Sequence, residues 1–151
     1  MKKFKLTSEF IVDISGVKLF RIKALIEFGN VKAGDLGGYI EKEENLSHMG
    51  NAWVSGNAQV SGDAQVSGDA RVFGNAWVSG DKDYAYAHGF GSCNRTTTFF
   101  RLKDGDVGVR CGCFYGTLAQ FRDNVCETHG ETKKAQEYLM LADLMDFRFK
   151  N

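Results

Sequence analysis

The chain has 151 residues, and its 19 basic residues (Lys and Arg) balance its 19 acidic ones, so the formal net charge is zero. This balance argues against a general nucleic-acid binder, which needs a basic face, and against an acidic mimic of DNA. No apolar run reaches the roughly 18 residues of a membrane-spanning helix. The charged N-terminus, followed by an apolar segment that Asp13 and Lys18 interrupt, does not fit a signal peptide. We therefore expect a cytoplasmic protein with reduced cysteines.

Residues 1–30 are predicted to form a β-hairpin. Phe10, Val12 and Ile14 lie at alternate positions, and Val17, Leu19 and Arg21 then alternate with Phe20, Ile22 and Ala24. Between them, Ser15-Gly16 is a turn signal. The hairpin is expected to lead into the first coil of the segment that follows, residues 31–95.

Residues 31–95 are predicted to form a β-solenoid with caps at both ends. The glycine-rich stretch Gly34–Glu41 lacks the G-K-[ST] ending of a phosphate loop, so it is interpreted as the entry cap. Residues 81–95, which leave the repeat, are expected to be irregular and to cap the other end.

Five hexapeptides follow one another without a break in residues 51–80: NAWVSG, NAQVSG, DAQVSG, DARVFG and NAWVSG. Within each unit an Ala and a Val are two residues apart, which is the period of a β-strand. The Gly-Asn or Gly-Asp pair between units is a turn signal that favours a positive φ at the glycine. A strand this short cannot bury its face alone, so the units must stack.

This pattern resembles the hexapeptide-repeat left-handed β-helix, in which three hexapeptides form one triangular coil of 18 residues. The resemblance implies that residues 18 apart lie above one another, about 4.8 Å away. Val54 would then stack on Val72 and Val60 on Val78 in the core, while Trp53 would lie over Arg71 outside. Gln59 would likewise lie over Trp77. The same spacing extends the match loosely upstream to Leu36 and Ile40, and the fold family implies a homotrimer.

The two tryptophans are expected to point outward from the repeat. Either they pack under the flanking segments or in a trimer interface, or they form a surface for a ligand or partner.

Residues 96–151 are predicted to form a ββαα module. Strands at residues 96–102 and 107–113 flank an Asp-Gly hairpin turn. Thr117 and Gln120 form a capping box that opens a helix ending at Gly130. A second helix is expected from about Thr132 to Asp146. Together these elements predict a mainly β protein with an α+β tail.

The whole layout is similar to a group of uncharacterised proteins carried by phages and prophages. The shared features are a G-D-x-G-G-Y-I-E entry, here Gly34–Glu41, the hexapeptide run, and a C-G-C-F…F…H-G tail. In this chain the tail begins at Cys111 and ends at His129-Gly130. The resemblance implies an accessory protein made inside a bacterial host, and it implies no activity.

Three kinds of chemistry remain open as alternatives. Zinc could be held by Cys111 and Cys113, which share a strand face, with Cys126 and His129, which share a helix face, although the usual C-x-x-C knuckle is absent. A cysteine nucleophile would need a base such as His129. Acyl transfer, the best-known activity of hexapeptide folds, needs a histidine base near the coil wall, and no histidine interrupts the repeat.

Non-catalytic binding is the favoured hypothesis, with no cofactor expected. Aromatic side chains can stack on a base, and arginines can bind phosphate. The candidate binding residues are Trp53, Gln59, Arg71, Trp77, Arg95 and Arg110. The expected partner is a host defence protein or a cyclic or other signalling nucleotide, which this protein would sequester or inhibit. A hexapeptide acyltransferase and a structural or assembly protein are the alternatives.

Overall fold

The computed structural model describes residues 2–90, 95–111 and 114–150, and it shows a mainly β protein with two C-terminal helices. The strands are β1 (Phe4–Val12), β2 (Lys18–Ala24), β3 (Leu36–Ile40), β4 (Trp53–Val54), β5 (Gln59–Val60), β6 (Arg71–Val72), β7 (Trp77–Val78), β8 (Tyr84–Phe90), β9 (Arg95–Arg101), β10 (Val107–Cys111) and β11 (Phe114–Thr117). The helices are α1 (Leu118–His129) and α2 (Lys133–Phe149), and short 3₁₀ turns lie at Glu43–Asn45 and Asp81–Asp83.

The predicted stacking of the hexapeptides is confirmed. Strand β4 pairs with β6 in parallel, with Val54 opposite Val72, and β5 pairs with β7, with Val60 opposite Val78. The Val and Ala side chains of all five units are buried, at 1% exposure or less. Residues 18 apart therefore lie above one another in this part of the chain, as the resemblance to hexapeptide repeats implies.

Glycine makes the turns of the repeat, as the sequence predicts. Gly56, Gly62, Gly68 and Gly74 all have φ between +61° and +69°. At Gly62 a side chain is also excluded by space, because a Cβ would lie 2.2 Å from the carbonyl oxygen of Ser79. The turn of one unit thus packs directly on backbone 17 residues later.

The N-terminal hairpin is confirmed, and it extends one sheet of the repeat. The five-stranded sheet has the order β1-β2-β3-β5-β7, in which β1, β2 and β3 are antiparallel and the remaining pairs are parallel. The sheet is therefore mixed rather than a plain solenoid wall. The hairpin tip, around Ile14, projects beyond it and is exposed.

The upstream extension of the 18-residue register is wrong. Ile40 pairs with Val60 rather than with a residue 18 later, and Leu36 is exposed and pairs with Lys23 of the hairpin. Leu46 also lies opposite a residue 20 later, Val66, whereas Trp53 lies opposite Arg71, so two extra residues are accommodated between Leu46 and Trp53. In the turn at Glu43–Asn45, the buried Asn45 donates to the carbonyl oxygens of Gly62 and Ala64.

The C-terminal part contains more strands than predicted. Residues 84–90, expected to be irregular, form β8, and β11 was also missed, so the sheet has the order β11-β10-β9-β8. The predicted β9–β10 hairpin and the Thr117–Gln120 capping box are confirmed. The second helix continues past Asp146 to Phe149, whose side chain is buried.

Strand β9 joins the two halves of the molecule. Phe100 is fully buried in the core that the repeat forms with the hairpin, whereas the adjacent Phe99 is buried against the two helices. Because neighbouring side chains on a strand point to opposite faces, this sheet closes the end of the repeat with one face and holds α1 and α2 with the other.

Candidate functional site

Four of the six predicted binding residues lie on two different faces of the repeat, while Arg95 and Arg110 belong to β9 and β10. Trp53 pairs with Arg71 on β4 and β6, while Gln59 pairs with Trp77 on β5 and β7. Both pairings follow the predicted register. Each face borders its own cleft, so these side chains do not form a single column on the surface.

Trp53 is covered rather than exposed, as one of the two alternatives for the tryptophans predicts. Its side chain is 4% exposed, and the ring of Phe28 packs edge-on against it with centroids 5.3 Å apart. Gly37 lies so close that a Cβ there would be 2.8 Å from the Trp53 ring. For Trp53, packing under the N-terminal segment is the alternative that the structure shows.

Trp77 is only half-buried and borders a cleft of about 640 Å³, here called the helix cleft. The cleft lies between the β5–β7 face, the hairpin tip, the β9–β10 turn and the end of α2. It is lined by Asp13, Ile14, Ser15, Gln59, Ser61, Trp77, Val78, Ser79, Lys82, Asp83, Arg101, Leu102, Lys103, Gly105, Arg148 and Lys150. Basic side chains outnumber acidic ones in this lining, so the helix cleft favours anions.

Backbone hydrogen bonding places a lysine above Trp77. The backbone N–H of Lys103 donates to the carbonyl oxygen of Asn75, and Leu102 forms a bridge with Ala76. These contacts fix the β9–β10 turn against the last hexapeptide. Lys103 Nζ then lies 5.7 Å from the centroid of the Trp77 ring, within the range of a cation–π contact.

Asp83, an acidic residue of the helix cleft, has hydrogen-bond partners on both of its carboxylate oxygens. Asp83 accepts hydrogen bonds from the backbone N–H and hydroxyl of Ser79 and forms an ion pair with Arg101 at 3.0 Å. Burial by itself raises the pKa of Asp83, but the bonds from Ser79 and Arg101 outweigh it, and the pKa is lowered. Arg101 also donates to the carbonyl oxygen of Phe149, which ties the end of α2 to this side of the cleft.

The second cleft, here called the arginine cleft, has a volume of about 320 Å³ and lies on the β4–β6 face. It is lined by Asn30, Val31, Asp35, Leu36, Trp53, Ser55, Arg71, Phe73 and Arg110. It therefore brings together three of the predicted binding residues, Trp53, Arg71 and Arg110. Of the other three, Gln59 and Trp77 border the helix cleft, and the side chain of Arg95 lies outside the described residues.

The cysteines and His129 are not gathered around one point among the described residues. Cys111 is buried, where it accepts a hydrogen bond from the Thr97 hydroxyl and lies 3.7 Å from the Tyr138 hydroxyl, whereas Cys126 is exposed. Cys113 lies outside the described residues. In the part of the chain that the structure describes, no three His, Cys, Asp or Glu residues are close enough to hold a metal ion.

Sequence reasoning missed most of the basic side chains of the helix cleft. Lys103 lies in the predicted hairpin turn, and Arg148 and Lys150 follow the predicted end of the second helix. A signal was present, since Lys and Arg recur in the last residues, but the pattern does not reveal that this end folds back beside Trp77.

Comparison with known proteins supports the repeat and does not extend to the flanks. A family model described as the YdcK beta solenoid repeat matches residues 64–80, which covers the third to fifth hexapeptides. This part of the chain is similar to a β-solenoid repeat, in agreement with its stacked parallel strands. No curated protein matches the chain. Within the described residues, neither helix is long and apolar enough to cross a membrane.

Proposed function

We propose that this protein is a non-enzymatic binding protein that holds a nucleotide in the helix cleft. The observation that carries the proposal is the half-buried Trp77, with Lys103 beside its ring, in a cleft bordered by further basic side chains. An indole offers a stacking surface to any base, and lysine and arginine bind phosphate. A volume of about 640 Å³ is in the usual range of small-molecule sites.

The chemistry of the lining supports binding over catalysis. Asp83 is a poor general base, because its pKa is lowered and its oxygens already accept bonds from Ser79 and Arg101. An acyltransferase would need a base beside its substrate. His48 stacks on Phe4 and accepts the Lys3 N–H, and His88 is hydrogen-bonded to Thr96, both away from the helix cleft.

The biological setting is inferred from the resemblance to phage and prophage proteins. In a bacterial cytoplasm, a rigid protein that binds a nucleotide without consuming it would lower the free concentration of a signal. We therefore infer that the ligand is a signalling nucleotide of host defence, which this protein sequesters. The repeat is inferred to be a short left-handed β-helix, and the chain to be a trimer, from the hexapeptide fold family.

Capture of a host protein is the second candidate, and an apolar stripe on α2 favours it. Met140, Leu144 and Phe147 are exposed by 70%, 54% and 79%, and their spacing places them on one face of the helix. Such a stripe is typical of a surface that docks against a partner. Its occupant would bind beside the helix cleft without entering it.

A fluorescence titration tests the nucleotide proposal. The chain has two tryptophans, so Trp53→Phe leaves Trp77 as the only one. Mononucleotides, linear dinucleotides and cyclic dinucleotides of adenosine and guanosine are titrated into this variant and into its Lys103→Gln derivative. We expect saturable quenching of Trp77 by at least one nucleotide and an affinity about 10-fold lower without the Lys103 charge. Unchanged affinity in the derivative would place the nucleotide elsewhere.

A further inference from the structure

The outer face of the five-stranded sheet carries a hydrogen-bonding side chain directly beside Trp77. Gln59 lies opposite Trp77 on one side and opposite Tyr39 on the other, so the three residues form a ladder across β3, β5 and β7. Paired residues on neighbouring parallel strands point to the same face, and the strands are about 4.8 Å apart. A base that contacts the Trp77 ring therefore comes within reach of the Gln59 carboxamide.

The carboxamide of Gln59 is open to a ligand. Its neighbour Tyr39 already has partners, since the Tyr39 hydroxyl accepts a hydrogen bond from Arg21 and donates one to Glu9. The backbone N–H of Gln59 donates to the carbonyl oxygen of Ala76, which fixes the strand. Within residues 2–90, 95–111 and 114–150, the side chain of Gln59 forms no hydrogen bond, although it is half-buried and lines the helix cleft.

The polar side chains of the helix cleft include engaged groups and open ones. Ser79 donates to Asp83, and Arg101 donates to Asp83 and to the end of α2. Ser61 lies two residues after Gln59, on the same face of the repeat, and its hydroxyl has no partner in the part of the chain that the structure describes. An open amide and an open hydroxyl suit the edge of a base, and they leave the phosphate to the basic side chains.

A carboxamide distinguishes bases by the order of its donor and its acceptor. It presents one N–H donor beside one carbonyl acceptor, and this pair matches the amino group and the adjacent ring nitrogen of adenine. Both hydrogen-bonding edges of adenine have that arrangement. The N7–O6 edge of guanine carries two acceptors, so the acceptor of the carboxamide would face another acceptor there. An open amide beside the base therefore favours adenine over guanine.

We propose that Gln59 selects the base in the helix cleft, and that the nucleotide held there contains adenine. This inference rests on the proposed function, because it names the base of the nucleotide that the cleft would hold. The repeat accepts different side chains at this outward position, since its five units carry Trp53, Gln59, Gln65, Arg71 and Trp77 there. Substitution of Gln59 should therefore leave the fold intact.

Quenching of Trp77 in the Trp53→Phe background tests the role of Gln59. AMP, GMP, cyclic di-AMP and cyclic di-GMP are titrated separately, and the ratio of adenine to guanine affinity is compared among variants. We expect adenine nucleotides to bind about 10-fold more tightly than guanine nucleotides when Gln59 is present. Gln59→Leu should abolish this preference. Gln59→Glu should reverse it, because a carboxylate accepts from both N–H groups on the N1–N2 edge of guanine.

The ratio of affinities cancels the repulsion that a new carboxylate exerts on every phosphate. Asn57→Asp is the matched control, since it adds the same charge at an exposed turn where other units already carry Asp63 and Asp69, and it should keep the preference. Circular dichroism checks that each variant is folded. If Trp53→Phe does not fold, calorimetry measures the same ratios in the chain with both tryptophans.

The two proposals for the helix cleft fail in different ways. The role of Gln59 is overturned if adenine and guanine nucleotides bind alike, if guanine is preferred, or if folded Gln59→Leu or Gln59→Glu keeps the full preference for adenine. Nucleotide binding itself would stand in each of these cases. If no nucleotide of either base binds, the proposed function fails, and the role of Gln59 fails with it.

Discussion

Lys103 Nζ lies 5.7 Å from the centroid of the Trp77 ring, although the two residues belong to different halves of the molecule. Trp77 ends the parallel repeat, and Lys103 belongs to the turn between two antiparallel strands. The contact exists because the C-terminal sheet closes the end of the repeat. The helix cleft is therefore a product of how the halves pack, and not of the repeat alone.

Substitution of the two tryptophans should have different effects on stability and on nucleotide binding. Trp53→Ala removes a buried ring and should lower the free energy of unfolding by roughly 3–5 kcal/mol. Trp77→Ala removes a half-buried ring and should cost clearly less, while abolishing nucleotide binding. Urea unfolding of both variants measures the difference. Equal losses of stability would mean that Trp77 is a packing residue.

Gly37 should not tolerate a methyl group. A Cβ there would lie 2.5 Å from the carbonyl oxygen of Val54 and 2.6 Å from Cγ1 of Ile22. Gly37→Ala should therefore lower the free energy of unfolding by about 1–3 kcal/mol. Gly80→Ala is the control, because Gly80 is extended and has no atom within 4 Å of the added carbon. Equal unfolding midpoints for the two variants would contradict the close packing of Gly37 against the hairpin and the repeat.

Lys3 should make stability depend on pH in the alkaline range. Because of burial and the charge of Arg71, the pKa of Lys3 is about 8 in the folded chain, and it is near its ordinary value of 10.5 when unfolded. Between these values the unfolded chain binds more protons, so the free energy of unfolding should rise with pH, by about 3 kcal/mol at most. Below pH 8 this contribution is constant.

Chemical unfolding at several pH values between 7 and 10.5 measures this rise. Lys3→Met should lose it, whereas Lys5→Met, a change at an exposed lysine two residues later, should keep it. A wild-type curve that stays parallel to that of Lys3→Met would contradict the burial of a charged Lys3.

Asn45 should stabilise the turn after β3 against the repeat. Its buried amide donates to Gly62 and Ala64, and its oxygen accepts the Lys42 N–H. Asn45→Ala leaves these backbone groups without partners and should cost about 1–3 kcal/mol. Asn57→Ala, at an exposed turn position, should change the unfolding midpoint little. Comparable losses in the two variants would refute this role.

The sequence predicted the repeat well because each hexapeptide carries the same local information. Ala and Val fix the buried face, and glycine fixes the turn. The partner of Val54 then follows from the 18-residue coil that the resemblance to hexapeptide repeats implies. The register failed at Leu36 and Ile40 because two extra residues lie between Leu46 and Trp53, and no period encodes an insertion. Strand β8 was missed since its Gly and His residues give no clear alternation.

The candidate sites were predicted only in part, for a similar reason. The pairings of Trp53 with Arg71 and of Gln59 with Trp77 follow from the repeat. The burial of Trp53 depends on Phe28, which lies outside the repeat, and the charge around Trp77 depends on the fold of the C-terminal tail. Contacts between unlike segments leave no periodic pattern in one sequence.

The central claim, that the helix cleft binds a nucleotide, is tested most directly by identifying what the protein retains. Purified wild type and Trp77→Ala are incubated with a deproteinised bacterial extract, re-isolated and denatured, and the released compounds are analysed by mass spectrometry. We predict that a phosphorylated, base-containing compound is released from the wild type at close to one per cleft, and not from the folded variant. Release of the same compounds from both proteins, or of no such compound from the wild type, would contradict the proposal.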